Sequence, residues 1–332
     1  MLAVNDLVRI PYTPDLSEAG IAYACRSLAY TYNRMGGTPF DRLRRIAAGV
    51  AVELAFRRYL AELAVPFDVL GATPFTEPDR YDVALGGHRC DLKSYLITRR
   101  RQIQLLSHDP GQALQAHALV PLDQFGAEGG RPDDLYLFAF LLGLVAASIE
   151  DADQAAATGQ PVHLIHPLPE AWARPSAWRP LEGLALKSEC AAPITIEIGG
   201  QNAEREFSTL RLELAPKKRT VVDQVFYSLA YVHAERRPEA RLGLHNPAFA
   251  DIHLVQPHEW GNIQIYGVDI LLAGYLTREE FRRRSTVLNA GTPTFQYAHT
   301  HTKNLSVPMA ELNPLGDLLE KVRQWEAERL RP

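Results

Sequence analysis

The sequence predicts a mixed α/β (α+β) fold, in which a first half of helices and sheet is followed by a β-rich C-terminal region. Apolar residues recur every three or four positions across residues 40–63, opposite a row of arginines, which is typical of an amphipathic helix. Two short strand patterns flank the glycine pair at residues 86–87, and a continuous apolar strand pattern follows at residues 135–145. Beyond residue 181, alternating apolar and polar residues predict further strands.

The composition is that of a globular protein, with 46% hydrophobic and 22% charged residues in a chain of 332. This length is enough for one large domain or two ordinary ones. The net charge of −4 excludes a globally basic nucleic-acid-binding protein, but it leaves room for a local basic surface. Three widely spaced cysteines indicate neither a disulfide framework nor a zinc knuckle. Only six of the 35 basic residues are lysines, so a lysine within a motif is informative.

Neither a signal peptide nor a membrane span is predicted. The first residues lack a basic segment followed by a long apolar run. The most apolar stretch, residues 135–148, is too short to cross a bilayer as a helix. We therefore expect a cytoplasmic protein with no membrane partner.

A domain boundary is predicted at residues 168–180, which are rich in proline and tryptophan. It divides the chain into a domain of residues 1–170 and a β-rich domain of residues 181–332. The other expected elements are helices at residues 15–35, 111–119, 277–285 and 317–330, strands near 67–70, 193–214, 250–257 and 262–276, and a Gly-Gly turn at 199–200.

The hairpin at residues 80–95 carries unusual charges for a strand pair. If Gly86 and Gly87 form a two-residue turn, Asp82 lies opposite Asp91. Because side chains alternate along a strand, both aspartates share one face, while the other face is mostly apolar and suits a core. Like charges directly opposite each other destabilise an antiparallel pair by up to about 1 kcal/mol. The pattern therefore predicts that a positive group lies between the two carboxylates.

A hard divalent cation such as Mg²⁺ fits this description, because it binds carboxylate oxygens and retains water for a substrate. The same register places Arg80 opposite Lys93, and both lie on the aspartate face. Lys93 follows Asp91 by two residues, so its ammonium group is expected beside the cation. The alternative is structural: Lys93 and Arg80 would neutralise the aspartates on a solvated face.

The combination of Asp82 with the sequence Asp91-Leu92-Lys93 resembles the core signature of the PD-(D/E)XK nucleases. That resemblance implies a carboxylate on the preceding helix, and Glu53 occupies an apolar stretch of the predicted helix at residues 40–63. An ordinary helix pair between Glu53 and Arg57 is the alternative. The element order also matches the family's restriction-endonuclease-like αβββαβ core, a mixed sheet flanked by helices. The resemblance covers roughly residues 40–148.

The literal Pro78-Asp79 pair competes with Asp82 for the first carboxylate position. Asp79 is three residues from Asp82, so in a regular strand it would point to the opposite face from Asp91 and Lys93. Asp82 is therefore the preferred candidate, and Asp79 is the alternative if a bulge shifts the register. Asp91-Leu92-Lys93 is the only acidic-X-Lys sequence in the chain, which makes the motif more specific.

The resemblance implies a Mg²⁺- or Mn²⁺-dependent endonuclease that hydrolyses phosphodiester bonds of double-stranded DNA, of the restriction or phage-defence type. Glu53, Asp82, Asp91 and Lys93 would be catalytic, and the metal would be bound by Asp82, Asp91, the Leu92 carbonyl and Glu53. By the same analogy the β-rich region would serve target recognition or dimerisation, and a homodimer could cut both strands. The alternative is a non-catalytic nucleic-acid- or protein-binding module on a degenerate nuclease core. The residues proposed to contact DNA are Arg80, Arg89, Arg99, Arg100 and Arg101.

Histidine pairs in the second half of the chain invite a metalloenzyme interpretation. His163 and His166 lie three residues apart, and His253 lies near Asp251 and His258. None of these groups has a third ligand at a usual zinc spacing, so structural roles are expected for them.

Overall fold

The structure is a computed structural model that describes residues 1–28, 30, 37–69, 82–126, 129–249 and 251–329. The chain is mixed α/β and divides into two compact units. The first unit consists of Met1–Gly20, Ala47–Leu144 and Tyr266–Pro332, and the second consists of Ile21–Ile46 and Val145–Ile265.

This division differs from the predicted boundary between residues 170 and 181. Strand Ile265–Thr277 and the helix that ends the chain belong with the first unit, because that strand pairs with Val8–Pro11 near the N-terminus. Residues 145–170 join the second unit. Pairing between segments more than 250 residues apart leaves no local sign in the sequence, so composition could not indicate it.

The helices and strands have the following bounds. The α-helices are α1 (Pro14–Ser27), α2 (Pro39–Glu62), α3 (Arg100–His108), α4 (Leu122–Phe125), α5 (Ile149–Ala157), α6 (Glu170–Ala173), α7 (Arg278–Arg284) and α8 (Leu315–Arg329). The strands are β1 (Val8–Pro11), β2 (Val83–Leu85), β3 (His88–Ile97), β4 (His117–Pro121), β5 (Leu135–Val145), β6 (Leu164–Pro167), β7 (Ala185–Ser188), β8 (Ile194–Gln201), β9 (Phe207–Leu214), β10 (Arg219–Val221), β11 (Ser228–Ala234), β12 (Leu242–His245), β13 (His253–Val255), β14 (Gly261–Asn262), β15 (Ile265–Thr277), β16 (Thr286–Leu288), β17 (Asn304–Pro308) and β18 (Asn313–Pro314).

The central sheet of the first unit is mixed, with strand order β1-β15-β5-β3-β2 and with β18 paired to β15. β2 and β3 are antiparallel, whereas β3 and β5 are parallel. The first nine residues of β5 are buried, which explains why its sequence is apolar without alternation. Phe138 and Phe140 of β5 pack in one cluster with Ile103 and Leu106 of α3. The sheet thus positions β3 beside a strand whose first nine residues are buried.

The second unit contains most of the predicted β-rich region. Its two sheets have the orders β14-β6-β11-β8-β9 and β10-β7-β12-β13. Leucine, isoleucine and tryptophan side chains from both sheets form one buried cluster, which includes Leu186, Ile198, Leu244 and Trp260. The alternating pattern of residues 193–214 is confirmed as the antiparallel pair β8 and β9.

The predicted Gly-Gly turn at residues 199–200 is wrong, because both glycines lie inside β8 and the chain reverses after Gln201. A Cβ atom on Gly199 would lie 2.3 Å from the Tyr231 ring, and one on Gly200 would lie 2.0 Å from the Ser228 carbonyl oxygen. These glycines are required for close approach of β11 rather than for a turn.

The helix expected at residues 111–119 is also wrong. A 3-10 helix spans Pro110–Gln115 and is followed by β4, which pairs with β17. The long-range pairing outweighs the local helical pattern. The helix that connects the hairpin to β5 is instead α3, which begins within the arginine run at residues 99–101.

Several other predicted elements are confirmed. The helix expected at residues 40–63 is α2, and the two helices expected late in the chain are α7 and α8. The strand expected near residues 67–70 is reduced to a bridge between Asp68 and Ala84, and residue 70 lies outside the described residues. Among the described helices, none combines the length and the apolar character that crossing a bilayer requires.

Candidate active site

The turn of the predicted hairpin forms as the glycine pair requires. Gly86 and Gly87 have φ angles of +57° and +84°, a conformation that residues with a side chain rarely adopt. A Cβ atom on Gly86 would also lie 2.7 Å from Trp325 of α8. Val83 pairs with Cys90, and Leu85 pairs with His88, so the predicted register of β2 and β3 is confirmed for these residues.

The regular ladder ends one residue before the predicted pairing of Asp82 with Asp91. The backbone amide of Asp82 donates to the Cys90 carbonyl oxygen at 2.9 Å, although Cys90 is already paired with Val83. The register therefore shifts at Asp82, and the two aspartates are not squarely opposed. The Asp82 side chain nevertheless reaches β3, where its Oδ2 accepts a hydrogen bond of 2.6 Å from the Leu92 amide. This contact places the carboxylate beside the residue that separates Asp91 from Lys93.

Three of the predicted carboxylates influence one another. The pKa of Asp82 is raised well above its usual value of 3.8, first by burial and then by the negative charges of Glu53 and Asp91. The Leu92 hydrogen bond and the charge of Lys93 act in the opposite direction but are weaker. The structure thus brings Glu53 of α2 into electrostatic contact with the hairpin aspartates, as the sequence predicted.

Lys93 forms an ion pair with Asp91, with Nζ and Oδ2 2.6 Å apart. Burial lowers the pKa of Lys93, but the charge and hydrogen bond of Asp91 and the charge of Asp82 outweigh it, so the net pKa is raised. The lysine is therefore an ammonium ion at neutral pH. It donates a further hydrogen bond of 3.0 Å to Oε1 of Gln124 on α4.

Arg57 connects α2 to the hairpin. Its guanidinium lies 3.7 Å from the Glu53 carboxylate and donates a hydrogen bond of 2.7 Å to the Asp82 carbonyl oxygen. The helix pair considered as the alternative for Glu53 is thus present, but the same arginine also contacts the candidate site. It fixes the position of Glu53 relative to Asp82.

Two residues of this cluster were not identified from the sequence. Gln124 is 31 positions from Lys93 and belongs to a four-residue helix, so no spacing rule points to it. Tyr136 pairs in register with Asp91 across β3 and β5, and burial together with the charge of Asp91 raises its pKa. Only the pairing of the two strands, which is set by tertiary structure, could have indicated Tyr136.

The chemistry of these donors suits a hard cation. When all three are ionised, the carboxylates of Glu53, Asp82 and Asp91 outnumber the two cationic side chains, those of Lys93 and Arg57. Across the part of the chain that the structure describes, no three histidine, cysteine, aspartate or glutamate side chains are grouped closely enough to hold a metal ion by themselves. A cation bound here would therefore need ligands beyond the carboxylates, such as the Leu92 carbonyl and water.

The arginines proposed to contact DNA differ in their surroundings. Arg89 is engaged by a bidentate ion pair with Asp134 and by the Gly129 carbonyl. Arg99, Arg100 and Arg101 are exposed around the N-terminus of α3. Arg80 and the alternative carboxylate Asp79 lie outside the described residues.

The position of the three exposed arginines is electrostatically unfavourable for a helix, because cations at a helix N-terminus oppose the helix dipole. No ion pair of these arginines occurs among the described residues. By contrast, Arg282, Arg283 and Arg284 of α7 pair with Glu279 and Glu280 on the same helix. The α3 arginines are thus the better candidates for contact with an external anion.

The chain was also compared with known proteins. No protein-family model, no curated protein and no solved structure matches it.

Proposed function

We propose that the protein is a metal-dependent endodeoxyribonuclease that hydrolyses phosphodiester bonds of double-stranded DNA, with Mg²⁺ or Mn²⁺ as its cofactor. The observation that carries this proposal is that the charges of Glu53 and Asp91 both act on Asp82, while Lys93 forms an ion pair with Asp91. This is the residue set that the resemblance to PD-(D/E)XK nucleases implied. A restriction or phage-defence role is the corresponding biological context, and the cytoplasm is the corresponding compartment.

The order of elements around the site supports a restriction-endonuclease-like core. Helix α2 is followed by the bridge at Asp68, the hairpin of β2 and β3, helix α3, strand β4, helix α4 and strand β5. β3 and β5 are parallel, as a helical crossover between them requires. Apart from β4 and α4, and with a bridge in place of the first strand, this order is that of the αβββαβ arrangement that the resemblance implies.

Lys93 would act as a charged donor rather than as a base. Its ion pair with Asp91 favours the ammonium form, which has no lone pair to accept a proton from water. An ammonium held by Asp91 and Gln124 can instead orient a scissile phosphate and stabilise the negative charge that develops on its oxygens. Gln124 and Asp91 would restrict the rotation of the lysine side chain and so keep it in place.

The carboxylates would hold the cation. Asp82, Asp91 and the Leu92 carbonyl are the expected ligands, and Glu53 would bind directly or through water. Bound Mg²⁺ supplies Lewis acidity and lowers the pKa of water at the site. Arg57 would keep Glu53 oriented, because it contacts both Glu53 and the Asp82 backbone.

A non-catalytic binding module on the same core is the second candidate. It is favoured by the internal neutralisation of the site: Asp91 pairs with Lys93, Glu53 with Arg57, and Asp82 with the Leu92 amide. Such pairing would allow the cluster to be stable without a cation and without any reaction. The two candidates differ in whether the removal of Lys93 abolishes phosphodiester cleavage.

Plasmid cleavage tests the proposal. Supercoiled plasmid is incubated with the protein in Mg²⁺, in Mn²⁺ and in EDTA, beside the variants Lys93→Ala and Asp91→Asn. Lys303→Ala is the matched control, because Lys303 is an exposed lysine outside the site. We expect metal-dependent nicking or linearisation by the wild type and the control, and a decrease of at least roughly 100-fold in both site variants. Equal cleavage by wild type and Lys93→Ala, or none by either with any plasmid, would contradict the catalytic proposal.

A further inference from the structure

The second unit contains a cavity of about 390 Å³ that the nuclease proposal does not use. This size lies within the range of about 300–1,000 Å³ that is usual for small-molecule sites. The wall is formed mainly by apolar side chains, and the polar side chains in it are those of Arg42, His166, His253 and Glu259. The apolar members are Leu28, Pro39, Phe40, Leu43, Ile46, Pro167, Leu168 and Pro169.

The two histidines form a directed hydrogen-bond relay. Nδ1 of His166 lies 3.1 Å from the Glu259 carbonyl oxygen, which can only accept, so this nitrogen carries a proton. Nε2 of His166 lies 3.1 Å from Nε2 of His253. When both rings are neutral, His166 Nε2 is the acceptor and His253 Nε2 is the donor. The relay then leaves Nδ1 of His253 as a hydrogen-bond acceptor.

Both rings are held in the neutral form that this relay requires. Burial lowers the pKa of His166 and that of His253, and the neighbouring ring of His166 lowers the pKa of His253 further. Among the other described groups around the pair, Glu259 raises both pKa values, but its influence is smaller than that of burial. A neutral acceptor in an apolar wall selects a ligand with an N–H donor and no net charge at that point.

An aromatic ring in the same wall is fixed in position. A Cβ atom on Gly261 would lie 2.4 Å from Cδ1 of Phe40, so the ring packs directly against the glycine backbone. An aromatic ring can provide a surface for stacking, and stacking of one base on an aromatic side chain contributes about 1–3 kcal/mol. The wall thus offers an aromatic surface and a neutral hydrogen-bond acceptor, beside the charged side chains of Arg42 and Glu259.

We propose that this cavity binds a single unstacked purine or pyrimidine base, with Phe40 against the ring and His253 accepting a hydrogen bond from a ring or exocyclic N–H. The choice of a nucleobase among planar heterocycles rests on the proposed action on DNA. A base stacked inside a duplex cannot reach a pocket in the protein, so the ligand is an extruded or single-stranded nucleotide, or a free nucleoside. If the ligand is an extruded or single-stranded nucleotide, the second unit would contribute to target selection.

Binding by the full-length protein tests the proposal. The four deoxynucleosides and the four corresponding single-stranded trinucleotides are titrated by ligand-observed NMR, up to roughly 1 mM. His253→Ala removes the acceptor, and Ile46→Trp fills the cavity from its wall. His301→Ala is the matched control, because His301 is an exposed histidine that does not line the cavity. Thermal melting establishes that each variant is folded, and plasmid cleavage is measured on the same samples.

We expect at least one base to bind the wild type and the control, with affinity at least tenfold weaker in His253→Ala and undetectable in Ile46→Trp. Tighter binding of the trinucleotide than of its nucleoside would identify a nucleic-acid strand as the source, and equal binding would identify a free nucleoside. The proposal is overturned if no base binds the wild type, or if both folded variants bind as the wild type does. Cleavage without base binding would overturn this inference alone, whereas base binding without cleavage would overturn only the nuclease proposal.

Discussion

The carboxylate of Asp82 accepts a hydrogen bond from the backbone amide of Leu92, with Oδ2 and N 2.6 Å apart. This contact connects the start of β2 to the middle of the acidic-X-Lys sequence on β3, across a point where the ladder is already irregular. When Asp82 is ionised, this bond is charge-assisted and is therefore stronger than a bond between neutral groups. It keeps Asp82 within reach of Glu53 and Asp91 despite their mutual repulsion. Replacing Asp82 by Asn should therefore separate the effect of its charge from that of its hydrogen bond.

In the absence of a divalent cation, Asp82→Asn should stabilise the protein. The amide oxygen of Asn can still accept from Leu92, while repulsion from Glu53 and Asp91 is removed. We expect a gain of about 1 kcal/mol, or roughly 2 °C in melting temperature, measured by calorimetry in EDTA. Asp223→Asn, which alters an exposed aspartate outside the cluster, should leave the melting temperature unchanged.

Addition of Mg²⁺ should reverse the order of stability. A ligand at 100 times its dissociation constant stabilises the folded state by about 2.7 kcal/mol. The wild type should gain this stability, and Asp82→Asn should gain much less because it lacks one ligand. An equal gain in stability of both proteins on addition of Mg²⁺ would show that Asp82 is not a metal ligand.

The raised pKa of Asp82 should appear in the pH dependence of stability. Since the folded-state pKa is higher than the unfolded value, the folded protein holds a proton that the unfolded chain has released. The contribution of the Asp82 carboxyl group to the free energy of unfolding is fully present below the usual pKa of 3.8. It is lost as the pH rises through the raised pKa of the folded state. The stability advantage of Asp82→Asn in EDTA should therefore increase as the pH rises above 3.8. A difference that stays constant as the pH rises to neutrality would show that the pKa of Asp82 is not raised.

Gln124 should act as a positioning residue for Lys93. Gln124→Ala removes one of the two groups that hold the ammonium, so kcat should fall by about tenfold, which corresponds to roughly 1.4 kcal/mol, while KM changes little. Gln124→Glu retains an oxygen acceptor and should restore most of the activity. The matched control is Gln154→Ala, because Gln154 is exposed on α5. Equal decreases in the Ala and Glu variants would indicate that the hydrogen bond to Lys93 is not the cause.

The sequence predicted the local parts of this site better than its tertiary parts. The turn at Gly86 and Gly87 set the register of β2 and β3, because positive φ angles restrict the turn to few conformations. The second glycine pair, Gly199 and Gly200, does not form the turn expected from the sequence. These glycines allow Tyr231 and Ser228 to approach β8 closely, and a tertiary contact of this kind leaves no pattern in the sequence. Gln124 was missed for the same reason.

The close packing around β8 makes a direct prediction for stability. Gly200→Ala places a Cβ atom 2.0 Å from the Ser228 carbonyl oxygen, a backbone atom that can move only with its strand. Overpacking of this kind should cost about 1–3 kcal/mol, measured by chemical denaturation. Gly316→Ala on α8 has open space around it and should be neutral or slightly stabilising. If both variants unfold at the same denaturant concentration as the wild type, a Cβ atom at residue 200 does not clash with the Ser228 carbonyl oxygen.

The arginines at the start of α3 should dominate the salt dependence of DNA binding. Removing one arginine–phosphate ion pair should reduce the slope of log K against log salt by about 0.9. A variant with Ala at Arg99, Arg100 and Arg101 should therefore lower the slope by roughly 2–3, measured by fluorescence anisotropy with a duplex oligonucleotide in Ca²⁺. A double variant with Ala at Arg282 and Arg283, which are paired with Glu279, should leave the slope nearly unchanged. A slope that falls equally in both variants would indicate a diffuse effect of net charge and would remove the α3 arginines from the DNA interface.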